Sequence, residues 1–266
     1  MVSADQDGKI FSWGPTEELR ARLFEGEGHT TVISHLSSFE NLVFSGSVDG
    51  TIKKSEGLGE GRFEYKQSLK LEAFPIALTV GQDGNLYVLQ NNNKLAIIDI
   101  ASFTLTKLHE FKDYEATAAT FASSGLWVGD KKGLIHVLSP ADLSQTALIE
   151  KKHNHALSYM TTSKDGKLVA SGDTYRYIYV FNAESRDEIG CYTYHTSKIT
   201  QLEFNKDSTL LLTASLDLGV GITKLADKSK KLMHRTNEKE LTGVVFDEAD
   251  RVYTAGYDCS IRQWSL

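Results

Sequence analysis

Short runs in which apolar and polar residues alternate recur along this chain. They close on Trp13, Ser55, Ile98, Leu138, Phe181, Thr223 and Trp264, so each ends 40–43 residues after the one before. The period has internal structure. Its last copy begins with the small residues Thr254-Ala255-Gly256, turns at Asp258, and ends in the run Ile261–Trp264. Ser45–Ser55 repeats the layout around Asp49-Gly50, and Ser3–Trp13 repeats it around Asp7-Gly8. Asp-Gly between two such runs is a tight hairpin signal, because the turn needs positive φ. Upstream of the unit comes a further strand, as in Ile199–Phe204 and Leu241–Phe246. Each of these passes through a polar turn, Asn205–Thr209 or Asp247–Asp250, into the next run. Asp83-Gly84 and Asp165-Gly166 fill that slot in other copies. No segment sustains a 3.6-residue apolar period, so no helix is expected.

Four short strands per period, repeated about every 42 residues, predict an all-β fold of radially repeated sheets, the WD40-type β-propeller. Seven copies predict seven blades, with one or both terminal blades incomplete. A single propeller is expected over 1–266, with blade-closing strands at about 1–13, 45–55, 86–98, 126–138, 169–181, 211–223 and 252–264. The chain begins inside the second strand of its first blade, at Ser3-Ala4, and ends with the third strand of its last, at Trp264. A seam between Ile261 and Ile10 is therefore expected to stay open. Its unpaired edges would favour self-association or completion by an upstream segment. A six-bladed alternative uses Leu19–Phe24 to complete the last blade, but the regular spacing of Trp13 favours seven.

Blades of this type carry a buried hydrogen-bond network of a His, a strand Ser or Thr, the turn Asp and the closing Trp. The matches are His29 with Ser45 and Asp49, His195 with Thr213 and Asp217, and Asp258 with Trp264. Asp stands at the turn position at 7, 49, 217 and 258, whereas the other copies carry Asn92, Lys132 and Tyr175. Ser55 and Thr223 replace Trp in the two His-containing blades, which predicts weaker networks there. A buried Asp or His left unpaired costs about 1–3 kcal/mol.

Charged residues make up 24% of the chain and hydrophobic ones 41%, the balance of an ordered globular protein. A net charge of −6 argues against a nucleic-acid partner, which needs a concentrated basic face. The short basic clusters (Lys131-Lys132, Lys151-Lys152, and Lys228 with Lys230 and Lys231) read as solvated loops. Cys191 and Cys259 form neither a disulfide framework nor a metal-ligand spacing, and a reducing intracellular compartment is the simple reading. Residues 1–13 already belong to a blade, so no secretory signal is expected. No run approaches the ~20 apolar residues of a membrane span, so no membrane partner is expected.

No phosphate loop, zinc-protease motif or convergent nucleophile and base appears, so neither enzymatic activity nor a cofactor or metal is expected. Gly57-Leu58-Gly59-Glu60-Gly61 reads as a loop connecting blades. His153 and His155 could share one side of a strand but lack a third ligand. One of them reads as the buried histidine of its repeat and the other as solvent-facing. Tyr175-Arg176-Tyr177 stands where other copies carry Asp-Gly, and Tyr257 precedes the turn Asp258. Tyr and Arg are enriched at interface hot spots, so Tyr175, Arg176 and Tyr257 are the partner-binding candidates. Tyr194, just before His195, reads more readily as a ring covering a neighbouring blade.

Several segments resemble one family in order and spacing. They are Phe24-Glu25-Gly26-Glu27-Gly28-His29-Thr30, Asp49-Gly50-Thr51-Ile52-Lys53-Lys54-Ser55, Val180-Phe181-Asn182 and Tyr194-His195-Thr196-Ser197-Lys198-Ile199. Over essentially all 266 residues the chain is similar to the C-terminal propeller of the actin-interacting protein 1 (WD-repeat protein 1) family. That resemblance implies a protein that binds actin filaments together with cofilin and promotes their disassembly without bond-making chemistry, in the cytoplasm on the actin cytoskeleton. It also implies two seven-bladed propellers in tandem, of which this sequence would hold only the second. Family actin contacts are associated largely with the first, so no functional residue is carried over. The alternative is a general WD40 interaction scaffold in another cytoplasmic complex.

Overall fold

The computed structural model describes residues 1–14 and 21–265. Among these, 26 strands and no helix form seven antiparallel sheets, each a meander of strands in chain order. The chain divides into two compact units, Met1–Asp113 and Tyr114–Leu266.

The first unit holds three sheets. Blade 1 has three strands, Val2–Ala4, Ile10–Trp13 and Ala21–Leu23. Blade 2 has four, Ile33–Phe39, Leu42–Ser47, Thr51–Gly59 and Arg62–Lys70, as does blade 3, with Pro75–Val80, Asn85–Gln90, Lys94–Asp99 and Thr104–Glu110. In the second unit, blade 4 comprises Ala116–Ala122, Gly125–Asp130, Ile135–Leu138 and Gln145–Ile149. Blade 5 comprises Leu157–Thr162, Leu168–Asp173, Ile178–Asn182 and Glu188–Tyr192, and blade 6 Ile199–Phe204, Leu210–Ser215, Gly219–Lys224 and Lys230–His234. Blade 7 has three strands, Leu241–Phe246, Val252–Gly256 and Ile261–Trp264. The fold class is thus the seven-bladed WD40-type β-propeller that the period predicts, with three strands in each terminal blade among the described residues.

Burial explains why these runs become strands. Second strands are buried almost throughout, whereas fourth strands such as Thr104–Glu110 are largely exposed. Apolar residues on both faces of the second and third strands pack between neighbouring sheets. Trp127, Ile135 and Val137 of blade 4 meet Leu157, Met160 and Phe181 of blade 5 in one cluster. Ile178 and Val180 of blade 5 likewise meet Ile199 and Leu202 of blade 6. The sheets approach closely. A Cβ on Gly172 in the second strand of blade 5 would lie 2.6 Å from Ile199, the first residue of blade 6.

Among the described residues, Val2–Ala4 pairs only with Ile10–Trp13, and Ile261–Trp264 only with Val252–Gly256. Ala21–Leu23 pairs with Ile10–Trp13 in blade 1, so it does not complete the last blade as the six-bladed alternative requires. Leu19 lies outside the described residues.

Gly57–Gly61 is not a connector between blades. It lies at the end and tip of the long hairpin formed by the third and fourth strands of blade 2. Alternation continues past Ser55, so the pairing runs on to Gly59 and Arg62, and the strand does not close at Ser55. The extra length reaches blade 1. Glu25 N donates to Phe63 O at 2.8 Å, Tyr65 N donates to Glu25 O at 3.0 Å, and Arg22 Nη1 donates to Glu60 O at 2.9 Å. The rings of Phe24 and Phe63 stack with centroids 4.8 Å apart.

Candidate functional site

Each loop that leads into a first strand sits at the same end of its sheet as the turn between second and third strands. This meander geometry brings residues some 20 positions apart together. In blade 6, His195 Nδ1 lies 3.0 Å from Asp217 Oδ2, and its Nε2 lies 2.8 Å from Thr213 Oγ1. Burial works to raise the Asp217 carboxyl. The hydrogen bond from His195 and the amides of Thr196 and Gly219 outweigh it and hold the group well below the usual carboxylate range. In blade 2, His29 Nε2 lies 2.7 Å from Ser45 Oγ and Nδ1 2.8 Å from Thr51 Oγ1. Asp49 stands 3.8 Å from the ring and reaches it through the Thr51 hydroxyl. Burial pushes His29 down to about 4, against the pull of Asp49, so the ring is neutral at pH 7. Asp49 itself is held at about 2, hydrogen bonds from Thr51 and Thr30 overcoming its burial.

Blade 7 replaces the histidine. Asn237 Nδ2 donates to Asp258 Oδ1 at 3.1 Å, and Thr254 Oγ1 donates to Asn237 Oδ1 at 2.7 Å. Trp264 Nε1 closes the set on Thr254 Oγ1 at 3.1 Å. Asn237 therefore accepts and donates where a histidine would.

Blades 4 and 5, which lack Asp at the turn position, have the carboxylate two residues earlier, whereas blade 3 carries Gln90 there, accepting from the amide of Ala73. In blade 5, His153 Nδ1 lies 3.0 Å from Asp173 Oδ2 and Nε2 lies 2.7 Å from Ser171 Oγ. Asp173 also accepts from the amides of Tyr175, Arg176 and Tyr177. In blade 4, Asp130 accepts from the amides of Lys132 and Leu134 and pairs with His136 at 3.3 Å, a histidine of the third strand. In blade 1, Asp5 takes the turn amides of Asp7 and Lys9 in place of Asp7. Strand side chains have period two, so a carboxylate moved by two positions stays on the same face.

Ser171, His153 and Asp173 have the connectivity of a hydrolytic triad. All three are buried, with 0–3% exposure, and no substrate atom can reach the serine oxygen. The arrangement acts as a structural clasp.

The missing tryptophans have different consequences. In blade 6, Tyr194 Oη lies 2.9 Å from Thr223 Oγ1 and 3.2 Å from Thr213 Oγ1, bridging the two buried hydroxyls. Gly221 makes room for it, since a Cβ there would lie 2.4 Å from the tyrosine ring. The weaker network anticipated for blade 6 is therefore compensated. In blade 2, Ser55 Oγ is buried without a hydrogen-bond partner among the described residues.

The partner-binding candidates stand on the turns beyond these networks. Tyr175 is half exposed and stacks near His155, with centroids 4.9 Å apart. The Arg176 guanidinium lies 5.3 Å from the Tyr175 ring centre and 5.8 Å from that of Tyr177. Tyr257 is two blades away and half exposed, beside Leu216 and Leu218 of blade 6.

One further titratable pair lies away from the turns. On the first strands of blades 5 and 6, burial pushes Glu203 up to about 8, outweighing a hydrogen bond from the Phe246 backbone, and pushes Tyr159 up to about 12, helped by the Glu203 charge. Among the described residues, no three His, Cys, Asp or Glu side chains converge as a metal site.

The family model described as "WD domain, G-beta repeat" matches residues 20–54 and 186–220. These are the stretches that contain the His29 and His195 networks. The chain carries WD40 repeats. The whole WD40 chain is similar to longer proteins. It is 30% identical over 285 residues to Actin-interacting protein 1-2 of Arabidopsis thaliana. It is 28% identical over 275 residues to the 66 kDa stress protein of Physarum polycephalum, and 23% over 278 to Actin-interacting protein 1 of Caenorhabditis elegans. Each comparison covers 100% of this chain and 44% of the relative. The chain thus spans less than half the length of the curated relatives it matches.

Proposed function

We propose that this WD40 protein is a non-catalytic binding module that acts on actin filaments together with cofilin, promoting disassembly, in the cytoplasm on the actin cytoskeleton. Similarity over the whole chain to proteins named for interacting with actin carries the reading. In this reading the chain corresponds to the C-terminal of two propellers. The free edge of Val2–Ala4 then receives an upstream strand or, in its absence, another copy. Rigid surface does the work, and the turn face bearing Tyr175, Arg176 and Tyr257 is the contact region.

Filament co-sedimentation with and without cofilin tests the proposal. Pelleting that rises with cofilin, with faster filament loss, is the expected outcome. A chain that stays in the supernatant in both conditions removes the filament reading for this chain. A general interaction scaffold in another complex would then remain, since one fold hosts many functions.

A further inference from the structure

In the unit formed by residues 114–266, the turns between second and third strands of blades 5, 6 and 7 each place an apolar side chain in solvent. Tyr175 is 50% exposed, Leu216 39% and Tyr257 49%. Among the described residues of that unit, the one other large apolar side chain exposed to this degree is Leu148, on a fourth strand. Exposure is thus concentrated on one row of turns, and such concentration marks an interaction surface. Between blades 6 and 7 the row carries a shallow, open groove of about 420 Å³, lined by Leu216, Leu218, Tyr257, Lys239 and Glu240.

The charge of the row follows from the networks beneath it. The turn aspartates point inward, with side-chain exposures of 0% for Asp173, 15% for Asp217 and 7% for Asp258, and their oxygens are occupied. Glu115 is paired with Lys131, and Glu238 faces Arg262. Among the described residues, Lys132, Arg176, Lys198 and Lys239 have no carboxylate partner, and Glu240 alone opposes them at the groove. The side chains that the row leaves without a partner are thus mostly cationic, although the chain as a whole carries a net charge of −6. Packing over Tyr175 and Tyr177 fixes the Arg176 guanidinium, and a fixed planar fork favours bidentate carboxylate binding.

We infer that this row docks an acidic segment of a partner protein. One apolar side chain of the segment seats against Leu216, Leu218 and Tyr257, and its carboxylates meet Lys239 and, along the row, Arg176. The inference rests on the protein-binding reading above and deepens it, but it does not depend on which protein is bound. The apolar contact supplies area, and the charges supply orientation and encounter rate.

The test uses the whole chain and a blocked fluorescent peptide of glutamates around a central leucine. Two control peptides have every glutamate changed to glutamine or to lysine, and inorganic phosphate serves as competitor. Anisotropy at low salt should show binding of the acidic peptide alone, weakened by added salt. Affinity should fall about tenfold in Arg176→Gln and in Tyr257→Ser. Lys239→Glu guards against a folding artefact, since it should also lower affinity while leaving the melting temperature in place. Equal binding of the glutamine peptide, unchanged affinity in all three variants, or displacement by phosphate at equimolar concentration overturns the inference. Filament pelleting is scored separately. Its loss with peptide binding intact removes the actin reading, and peptide failure with pelleting intact removes the acidic-segment inference.

Discussion

Nδ1 of His153 lies 3.0 Å from Oδ2 of Asp173, and both side chains are fully buried. The aspartate ends a strand, two residues before the turn position that holds Asp49 in blade 2. Removing one member of a buried pair leaves the other without compensation. Asp173→Ala should therefore cost about 3–5 kcal/mol. Asp49→Ala should cost less, because Asp49 is partly exposed and reaches its histidine through Thr51. Urea denaturation of the two variants checks this order. Equal losses would mean that the earlier position carries no special weight.

Tyr194→Phe removes one oxygen and leaves Thr223 Oγ1 and Thr213 Oγ1 without their bridge. A loss of about 1–2 kcal/mol is expected by chemical denaturation. Thr223→Val in the same background should recover part of it, because the orphaned hydroxyl is gone.

The pH dependence has two limbs of opposite sign. His29 and His35 are each driven from 6.5 to about 4 by burial. The unfolded chain takes up protons in that window that the folded chain does not, so stability present above 6.5 is lost as pH falls towards 4. Asp49 extends the loss from 3.8 towards 2. Glu203 runs the other way, from 4.5 up to about 8. Its contribution is complete below 4.5 and is lost as pH rises through 8. Thermal melts across this range should show a maximum between the limbs. In Glu203→Gln the fall above 6.5 should flatten, and the acid limb should steepen between 4.5 and 6.5, where the two titrations overlap.

Gly172→Ala places a methyl group 2.6 Å from Ile199 Cγ2 and 2.7 Å from its Cβ, at the contact of blades 5 and 6. Overpacking of this kind costs about 1–3 kcal/mol. Pairing with Ile199→Ala should recover part of the loss in a double-mutant cycle. Simple addition of the two losses would show that the contact is not limiting.

The seven-part organisation was legible because strand length, turn residues and period are all local properties. Even the short terminal blades could be counted from Ser3 and Trp264. The networks were only partly legible. His29, Ser45, His195, Thr213 and Asp217 fall at matching positions, so spacing alone finds them. Asp173, Asp130 and Asp5 were missed because the carboxylate was sought at the turn. Strand geometry makes two positions equivalent, and an Asp two residues before the expected one was the available signal. Asn237 was hidden by a change of residue type, and Tyr194 because its oxygen fills the place of a residue some 30 positions later. Gly57–Gly61 looked like a connector because glycines obscure alternation, although Arg62–Tyr65 continues it.

The overlong hairpin of blade 2 has a mechanical corollary. Among the described residues blade 1 has three strands, and Glu25, just beyond the last of them, is pinned on both sides by Phe63 and Tyr65. Tension applied at the amino end therefore loads the short ladder of Val2–Ala4 first and is passed on to blade 2 through the fastening at Glu25. Pulling experiments should find Val2–Ala4 peeling first and the rest of blade 1 then yielding together with blade 2, and trimming the hairpin tip should split that second event in two.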